Sequence, residues 1–339
     1  MSSGNRFIGN QPAVSESADY AGLTPDVILN AVEQCGFRTD GRMLALNSYE
    51  NRVYQVGIED NVPLIAKFYR PGRWTNASIL EEHRFSQELA DEEIPVIAPL
   101  QVAGNSLLEA AGFRFALYPR QGGHWPELNS QAEREWIGRL IARMHAVGAT
   151  RPFEHRPRLD VESFGHASCR FLLEHDFLPG HIELAYRTLT EDLLQQITAI
   201  LQRSGKVKEI RLHGDCHPGN ILWAHNGPHF VDLDDCRTGP AIQDLWMLLS
   251  GERHEMQGQL IDMLEGYEQF RDFDTRELQL IEPLRTLRII HYAAWLARRW
   301  HDPAFPLAFP WFNTSRYWEE HVLALREQAG LMSEPALTV

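Results

Sequence analysis

Two carboxylates and one amide, placed close together along the chain, are the residues of this sequence best suited to chemistry. Asp215 comes first, Asn220 follows five residues later, and Asp232 lies twelve residues beyond Asn220. Two β-rich runs separate the last two, at residues 221–223 and 229–231, and the Asn-Gly pair in their connection is typical of a hairpin turn. Because a hairpin returns the chain to its starting point, we expect Asn220 and Asp232 to converge, with Asp215 nearby.

This set of side chains fits phosphoryl transfer. An aspartate can orient or deprotonate the attacking hydroxyl, which is the catalytic role predicted for Asp215. Asn220 and Asp232 offer hard oxygen ligands, which suit Mg²⁺ better than a transition metal. His213 and His217 share the loop, but no further ligands follow at the spacing of a zinc site. We expect His213 to be structural and to bond the backbone near Asp232.

Three further acidic residues near this segment allow more than one interpretation. Asp234 and Asp235 are not needed in addition to Asp215, Asn220 and Asp232. Asp234 is nevertheless a candidate ligand for a second metal ion. Asp244 stands before Leu245 and Trp246 at the start of an expected helix. It is either an early helical acid that the helix dipole favours, or a buried carboxylate that accepts backbone N–H groups of the Asp215 loop and fixes its shape.

A lysine lies inside an apolar, strand-like run at residues 64–68. In a strand such a side chain, here Lys67, is usually solvent-facing or at a sheet edge. In a kinase the same residue crosses the sheet to hold the α- and β-phosphates and is itself held by a glutamate from a helix. Glu82, with apolar residues three and seven positions later, is the expected partner. Glu81 is the alternative, one position away in register.

Length, composition and charge limit the possible classes of protein. The chain has 339 residues, 44% hydrophobic and 23% charged, which indicates a globular protein of two lobes. A net charge of −14 argues against binding to nucleic acid, although a local basic pocket for phosphates remains compatible with it. No apolar run approaches the roughly 18 residues of a membrane span, and the N-terminus lacks the pattern of a secretory signal. The four cysteines show no paired spacing. We expect a cytoplasmic, monomeric protein with reduced thiols.

The pattern along the chain divides it into three parts. Residues 1–20 resemble a flexible tail, residues 21–120 form a β-rich N-lobe with one key helix, and residues 121–339 form a mainly helical C-lobe. The irregular stretch around Gly123 is the expected hinge. Strands are predicted at residues 52–56, 63–69, 96–97, 107–108 and 113–118. Helices are predicted at residues 25–32, 78–90, 132–147, 184–201, 242–249, 256–267, 275–300 and 315–328.

The order of these residues resembles a known family. Residues 213–220 read His-Gly-Asp-X-His-X-X-Asn and resemble the catalytic loop of the aminoglycoside-phosphotransferase and choline-kinase branch of the protein-kinase-like fold. Residues 232–234 stand where protein kinases have Asp-Phe-Gly, and residues 138–145 resemble the first long helix of the larger lobe. The resemblance runs from about Leu44 to Ser250. It implies an α+β, bilobal fold that uses ATP and Mg²⁺, with adenine packed against residues 115–118.

Within that branch, the local sequences at residues 67–71, 212–217, 230–235 and 244–249 are similar to those of bacterial stress-response kinases. This implies a cytoplasmic kinase that phosphorylates Ser or Thr of proteins, including itself. Two alternatives remain. One is a small hydroxyl metabolite as acceptor, such as homoserine, choline or an amino sugar, because sister families use the same site. The acidic larger lobe would suit a cationic acceptor. The other is a pseudokinase. The aromatic residues at 295–300 and 309–312 either wall an acceptor pocket or, as we prefer, pack helices.

One segment departs from the kinase pattern. Residues 47–53 occupy the position of the phosphate-covering loop but lack its Gly-X-Gly-X-X-Gly sequence. Backbone amides there can still cover phosphates, with help from the side chains of Ser48 or Asn51. A looser approach to the phosphates predicts modest affinity for ATP.

Overall fold

A five-stranded antiparallel sheet and two helices form the N-terminal lobe. The computed structural model describes residues 20–339. The strand order is β1-β2-β3-β5-β4, so β3, which carries Lys67, lies at the centre of the sheet. The bounds of the elements are α1 Pro25–Gln34, β1 Thr39–Leu46, β2 Arg52–Ile58, β3 Leu64–Phe68, α2 Asn76–Asp91, β4 Leu108–Ala110 and β5 Phe113–Pro119.

Both helices of this lobe begin where the sequence signals a start. The Thr24 side chain accepts the N–H of Val27 at 3.3 Å and caps α1. The Thr75 side chain accepts the N–H of Ser78 at 3.1 Å and caps α2. Each cap satisfies one of the backbone donors that a helix start leaves unpaired. The two predicted helices of the N-lobe are therefore confirmed.

One expectation for this lobe does not match the structure, and another falls mostly outside the described residues. The strand predicted at residues 96–97 is reduced to one isolated bridge between Val96 and Phe230, because Pro95 and Pro99 flank it and proline has no N–H to donate to a sheet. The predicted tail, residues 1–20, lies outside the described residues except for Tyr20. That ring is buried, and its hydroxyl donates to the carbonyl of Phe68 at 3.3 Å.

Helices dominate the second lobe, with two short antiparallel strand pairs at the side that faces the first lobe. Strand β6 pairs with β9, and β7 pairs with β8. Within residues 20–339, none of the helices combines the length and apolar character that crossing a membrane requires. The elements are α3 Gln131–Gly148, α4 Ala167–Glu174, α5 Gly180–Arg203, β6 Glu209–Leu212, β7 Ile221–Ala224, β8 Gly227–Phe230, β9 Arg237–Pro240, α6 Ile242–Trp246, α7 Arg253–Tyr267, α8 Ile281–Arg299, α9 Ala304–Ala308 and α10 Ser315–Leu331.

Close packing of α3 against α7 organises the main core of this lobe. A Cβ atom added to Gly138 would lie 2.0 Å from the carbonyl oxygen of Met263, and one added to Gly266 would lie 2.0 Å from that of Glu135. Glycine at these two positions is what allows the backbones to approach. Apolar side chains of α3, including Ile137 and Ile141, are fully buried in the same cluster. The helix predicted over residues 132–147 is confirmed.

The predicted helix over residues 275–300 is divided in the structure. A 3₁₀ turn, Thr275–Leu280, precedes α8. Pro283 is the cause, since proline is tolerated in the first turn of a helix but has no N–H for a bond inside a longer one. The short helices α4 and α9 were not predicted. The hairpin is also tighter than expected, because Ala224 pairs directly with Gly227 across a two-residue turn.

Candidate active site

Residues 213–220, named the catalytic loop for their predicted role, connect β6 to β7 at the lobe boundary. Strand β6 pairs with β9, so the loop and the segment before β9 are brought to the same end of that strand pair. The 3₁₀ turn Pro218–Asn220 then leads directly into β7. Pairing of Ile221 with Phe230 closes the hairpin immediately beyond Asn220. This is the local reason why side chains far apart in the sequence meet here.

Asp244 fixes the shape of the catalytic loop through hydrogen bonds to its backbone. Its two carboxylate oxygens accept the N–H groups of His213 at 2.9 Å and Gly214 at 2.8 Å. The carboxylate has no exposed surface, and Nε2 of His145 lies 3.2 Å from it. Two buried backbone donors are satisfied by one carboxylate, which restricts the loop more than either bond alone. The expectation of a buried, loop-fixing carboxylate is confirmed.

Two hydrogen bonds at the hairpin bring Asn220 and Asp232, the predicted metal ligands, close to each other. The His213 ring bonds the carbonyl of Val231 through Nε2 at 3.0 Å, as expected for a structural histidine beside Asp232. The N–H of Val231 donates to the carbonyl of Asn220 at 3.0 Å. Asn220 and Asp232 therefore lie beside each other, one residue out of register.

Asp215 faces a cation that sequence reasoning did not identify. Arg288 of α8 places Nη1 2.7 Å from Oδ1 of Asp215. On the other oxygen, Nδ2 of Asn220 lies at 3.3 Å and Nε2 of His217 at 3.5 Å. Burial alone would raise the pKa of Asp215, but Arg288 and His217 hold it well below its ordinary value. Asp215 is therefore a carboxylate at neutral pH, and its contact with Arg288 lowers its affinity for a proton.

Lys67 lies at the centre of a cluster of three carboxylates. Its Nζ is 2.9 Å from Asp232, 3.3 Å from Asp234 and 3.9 Å from Glu82. Burial alone would lower the pKa of Lys67, but these carboxylates raise it well above its ordinary value. Burial raises the pKa of Glu82 to about 7, against the opposing charge of Lys67. The solvent-facing interpretation of Lys67 is thus wrong.

Glu81, the alternative partner of Lys67, has a different position. Its carboxylate accepts the N–H groups of Glu154, His155 and Arg156 at 2.6, 2.7 and 2.8 Å. These residues belong to the second lobe, so Glu81 joins α2 to that lobe. Its neighbour Glu82 is thereby held toward Lys67.

Asp232 and Asn220 are suited to hold a divalent cation. The Asp232 side chain is 52% exposed, and its backbone has the left-handed conformation, φ 59°. Asp234 is buried instead, and it binds Arg73 as well as Nδ2 of Asn51 at 3.1 Å. In residues 20–339 no group of three or more His, Cys, Asp or Glu could form a metal site. Two protein oxygens fit Mg²⁺ in nucleotide sites, where water and phosphate supply the remaining ligands.

Residues 47–51, the part of the predicted phosphate-covering segment 47–53 that precedes β2, form the covering loop and contact the second lobe through Glu50. Its carboxylate accepts Nε1 of Trp295 at 2.6 Å and Nη2 of Arg299 at 2.9 Å, both from α8. Asn51 is not free to assist phosphates, because its Oδ1 also accepts the N–H of Arg70 at 3.1 Å. Ser48 lies half-buried in the same loop. The sequence carried no local signal for these contacts between lobes.

The residues expected to pack adenine are mostly internal. Residues 115–118 belong to β5, and Phe115 is fully buried with its ring stacked on Phe68 at 5.1 Å. The hydroxyl of Tyr118 bonds that of Tyr69 at 3.1 Å. The irregular stretch beyond β5, which includes the expected hinge around Gly123, contacts β7 through the His124–Trp223 bridge. Core packing occupies the Phe115 ring, and the packing of adenine against residues 115–118 stays a prediction.

Comparisons with known proteins agree with this geometry. The model of the phosphotransferase enzyme family matches residues 43–281. The chain belongs to this family. Stress response kinase A of Escherichia coli (strain K12) is 45% identical over 315 residues, which cover 93% of this chain and 95% of that protein. Serine/threonine protein kinase RdoA of Salmonella typhimurium (strain LT2) is 43% identical over 315 residues, with the same coverage of both chains.

A solved structure shows the same fold at lower identity. The amicoumacin kinase hAmiN, in complex with AMP-PNP, Ca²⁺ and Ami, has a TM-score of 0.68 and 20% identity over 91% of this chain and 93% of that one. The α+β, bilobal, protein-kinase-like fold implied by the sequence resemblance is thus confirmed. So is membership of the phosphotransferase branch.

The remaining aromatic and cysteine residues of this phosphotransferase lie mainly in its core. Phe309 and Phe312 are buried, which confirms the packing interpretation for them, whereas Trp295 is half-buried and bonds Glu50. Cys216 and Cys236 have no exposed surface, and burial raises the pKa of both thiols. Thiols in this state are poor nucleophiles at neutral pH.

Proposed function

We propose that this phosphotransferase is an ATP- and Mg²⁺-dependent serine/threonine protein kinase of a bacterial stress response. The observation that carries the proposal is the meeting of Asp215 and Asn220 with Asp232 and Lys67 at the lobe boundary. These are the groups that phosphoryl transfer needs for a base, a cation and the donor phosphates. The names of the 43–45% identical relatives support a protein acceptor and a role in stress.

Each residue has one task in the proposed reaction. Asp215 accepts the proton of the acceptor hydroxyl as its oxygen bonds to the γ-phosphorus. The bond from that phosphorus to the bridging oxygen of the β-phosphate breaks, and ADP leaves with the electron pair. Lys67 holds the α- and β-phosphates, and Glu82 keeps Lys67 in place. A divalent cation on Asn220 and Asp232 would neutralise phosphate charge. Positioning and charge neutralisation supply most of the catalysis in this chemistry.

The acceptors in this proposal are Ser or Thr hydroxyls of proteins, including this chain itself. We infer a monomer in the cytoplasm, with ATP as the small-molecule partner. Ser48, half-buried in the covering loop, is the side chain proposed to assist the backbone amides over the phosphates.

The direct test is transfer of label from γ-labelled ATP in the presence of Mg²⁺. Purified protein is incubated alone and with a generic protein substrate, beside an Asp215→Ala variant. We expect label on Ser and Thr, reduced by about 10²–10⁴-fold in the variant, because a positioned base contributes that much. Binding of ATP by the variant, measured by calorimetry, should be preserved.

Asp192→Asn provides the matched control, since it removes an exposed carboxylate on α5. It should label substrates at the rate of the unmodified protein. Label on proteins that persists in Asp215→Ala would contradict the assignment of the base. Label found only on small hydroxyl compounds would replace the protein acceptor with a metabolite.

A further inference from the structure

Arg288 lies on the acceptor side of the catalytic carboxylate. It belongs to α8, whereas the groups proposed to hold ATP come from β3, α2, the catalytic loop and the hairpin. Its side chain is 38% exposed, and Nη1 lies 2.7 Å from Oδ1 of Asp215. An acceptor that reaches Asp215 therefore meets Arg288 as well.

The surface of α8 around Arg288 is cationic and aromatic. Tyr292, Trp295 and Arg299 follow Arg288 at four, seven and eleven positions, the spacing of one helix face. Tyr292 is 40% exposed and stacks on Trp295 with ring centroids 5.6 Å apart. At the far end, Trp295 and Arg299 bind Glu50 of the covering loop. This face thus runs from the catalytic carboxylate to the loop expected over the phosphates.

Negative charge is absent from the exposed part of that face. The one carboxylate within α8 is Glu282, and it pairs with Arg285 at 3.1 Å, before Arg288 in the sequence. The carboxylate of Glu50 is already bound by Arg299 and Trp295. The net charge of −14 is therefore no guide to this face of α8. A cationic acceptor, which the overall charge favoured, would be repelled by Arg288.

We propose that Arg288 is a specificity-determining residue that selects hydroxyl acceptors with an acidic group next to the hydroxyl. For a protein substrate, this means Ser or Thr flanked by Asp, Glu or a phosphorylated residue. The inference rests on the proposed kinase function and deepens it by assigning the chemical class of the acceptor.

The contacts of Asp215 explain how such selection would work. Both of its oxygens have close neighbours: Oδ1 forms an ion pair with Arg288 but accepts no hydrogen bond, and Oδ2 accepts one from Asn220 with His217 nearby. The acceptor hydroxyl needs one of these oxygens. An acidic neighbour of the hydroxyl offers Arg288 a replacement partner and frees Oδ1, whereas a neutral acceptor leaves Arg288 on Asp215. Charge complementarity of this kind sets specificity more than raw affinity.

The test is a set of three peptides that differ at the residue after a single Ser, with Asp, Asn or Lys there. kcat/KM for phosphorylation is measured for the unmodified protein and for Arg288→Gln and Arg288→Glu. We expect the unmodified protein to prefer the Asp peptide over the Asn peptide by about tenfold or more, and Lys to be the poorest. Arg288→Gln should bring the Asp/Asn ratio near one, and Arg288→Glu should favour Lys. The ratio is informative even where the absolute rate falls.

Arg316→Gln is the matched control, because it removes an exposed cation that pairs with Glu320 on α10, and its peptide preference should not change. Equal rates on all three peptides, or an Asp preference that survives in Arg288→Gln, would overturn this inference and leave the kinase proposal standing. Failure to label any peptide or protein, with Asp215-dependent transfer to small hydroxyl compounds, would overturn both.

Discussion

The catalytic loop and the phosphate-covering loop both border the cleft, yet they are held in different ways. The catalytic loop, residues 213–220, is fixed by buried hydrogen bonds from Asp244 and from the adjoining hairpin, all within its own lobe. The covering loop, residues 47–51, is held by hydrogen bonds from Arg70 of its own lobe and also by the contacts of Glu50 with α8 of the other lobe. The bonds that fix the catalytic loop lie within one lobe, whereas the covering loop depends also on how the two lobes meet.

The difference follows from the demands of the two positions. A proton acceptor must be placed within a few tenths of an ångström, and backbone bonds to a buried carboxylate achieve this. A covering loop must admit a nucleotide, and the ion pair of Glu50 with Arg299, whose side chains are 12% and 20% exposed, is closer to solvent than the unexposed bonds of Asp244. Without glycines, this loop uses Glu50 and α8 for its position. We therefore expect substitutions behind the catalytic loop to cost more than substitutions in the covering loop.

The largest effect is expected for Asp244→Asn. The amide can accept only one of the N–H groups of His213 and Gly214 and turns an NH₂ toward the other. Because these bonds are buried and charge-assisted, the free energy of unfolding should fall by about 3 kcal/mol and activity by at least about 100-fold. Denaturant unfolding and labelled-ATP assays measure both. Asp40→Asn, at an exposed pair with Arg42, is the control and should change neither quantity. Equal losses in Asp40→Asn and Asp244→Asn would contradict a specific role of Asp244 in fixing the catalytic loop.

A smaller, pH-dependent effect is expected for Glu277→Gln. The Glu277 carboxylate accepts the N–H of Ile242 at 2.8 Å, at the start of the helix that carries Asp244. Burial raises the pKa of Glu277 to about 7 from an ordinary 4.5. The folded protein therefore retains a proton that the unfolded chain releases, and stability is lost as the pH rises from about 4.5 through 7.

Glutamine removes that titration and keeps an acceptor for Ile242. The difference in unfolding free energy between pH 5 and pH 8 should therefore shrink by about 2 kcal/mol. Unfolding curves at both pH values provide the measurement. An identical pH dependence in the variant and the unmodified protein would show that Glu277 is already ionised in the folded state.

The smallest change in stability is expected for Glu50→Gln. Arg70 and Arg73 both form ion pairs with Glu50. Each also pairs with a second carboxylate, Arg70 with Asp302 and Arg73 with Asp235, so neither loses its only partner. The unfolding free energy should change by only about 1 kcal/mol, while KM for ATP should rise about three- to tenfold because the loop is held less firmly. Steady-state kinetics at several ATP concentrations distinguish KM from kcat. Glu59→Gln, at an exposed pair with Arg38, should leave KM unchanged; a rise of similar size there would argue against a specific role of Glu50.

The sequence predicted best those contacts that join residues close together along the chain. The hairpin between Asn220 and Asp232 is local, and its turn chemistry predicts that the flanking residues converge. The bond from His213 to the backbone beside Asp232 and the two bonds accepted by Asp244 were also expected. Each depends on residues within about thirty positions of one another, inside one lobe.

The sequence does not determine which of Glu81 and Glu82 contacts Lys67. Neighbours on an α-helix point about 100° apart, so one position decides whether a carboxylate faces Lys67 or another element. Both are acids in an amphipathic stretch, and the pattern alone does not separate them. Packing of α2 against residues 154–156 turns Glu81 toward their N–H groups and leaves Glu82 for Lys67.

By itself, the sequence determined the family and the two-lobed architecture and predicted the chemistry of residues 213–220, because each is carried by residue types at short, regular spacings. Only the tertiary structure decided what surrounds that chemistry. Arg288 reaches Asp215, and Trp295 and Arg299 reach Glu50, from a helix far along the chain. No spacing rule connects such residues, since their proximity results from the packing of α8 against both loops and not from any local preference of the chain.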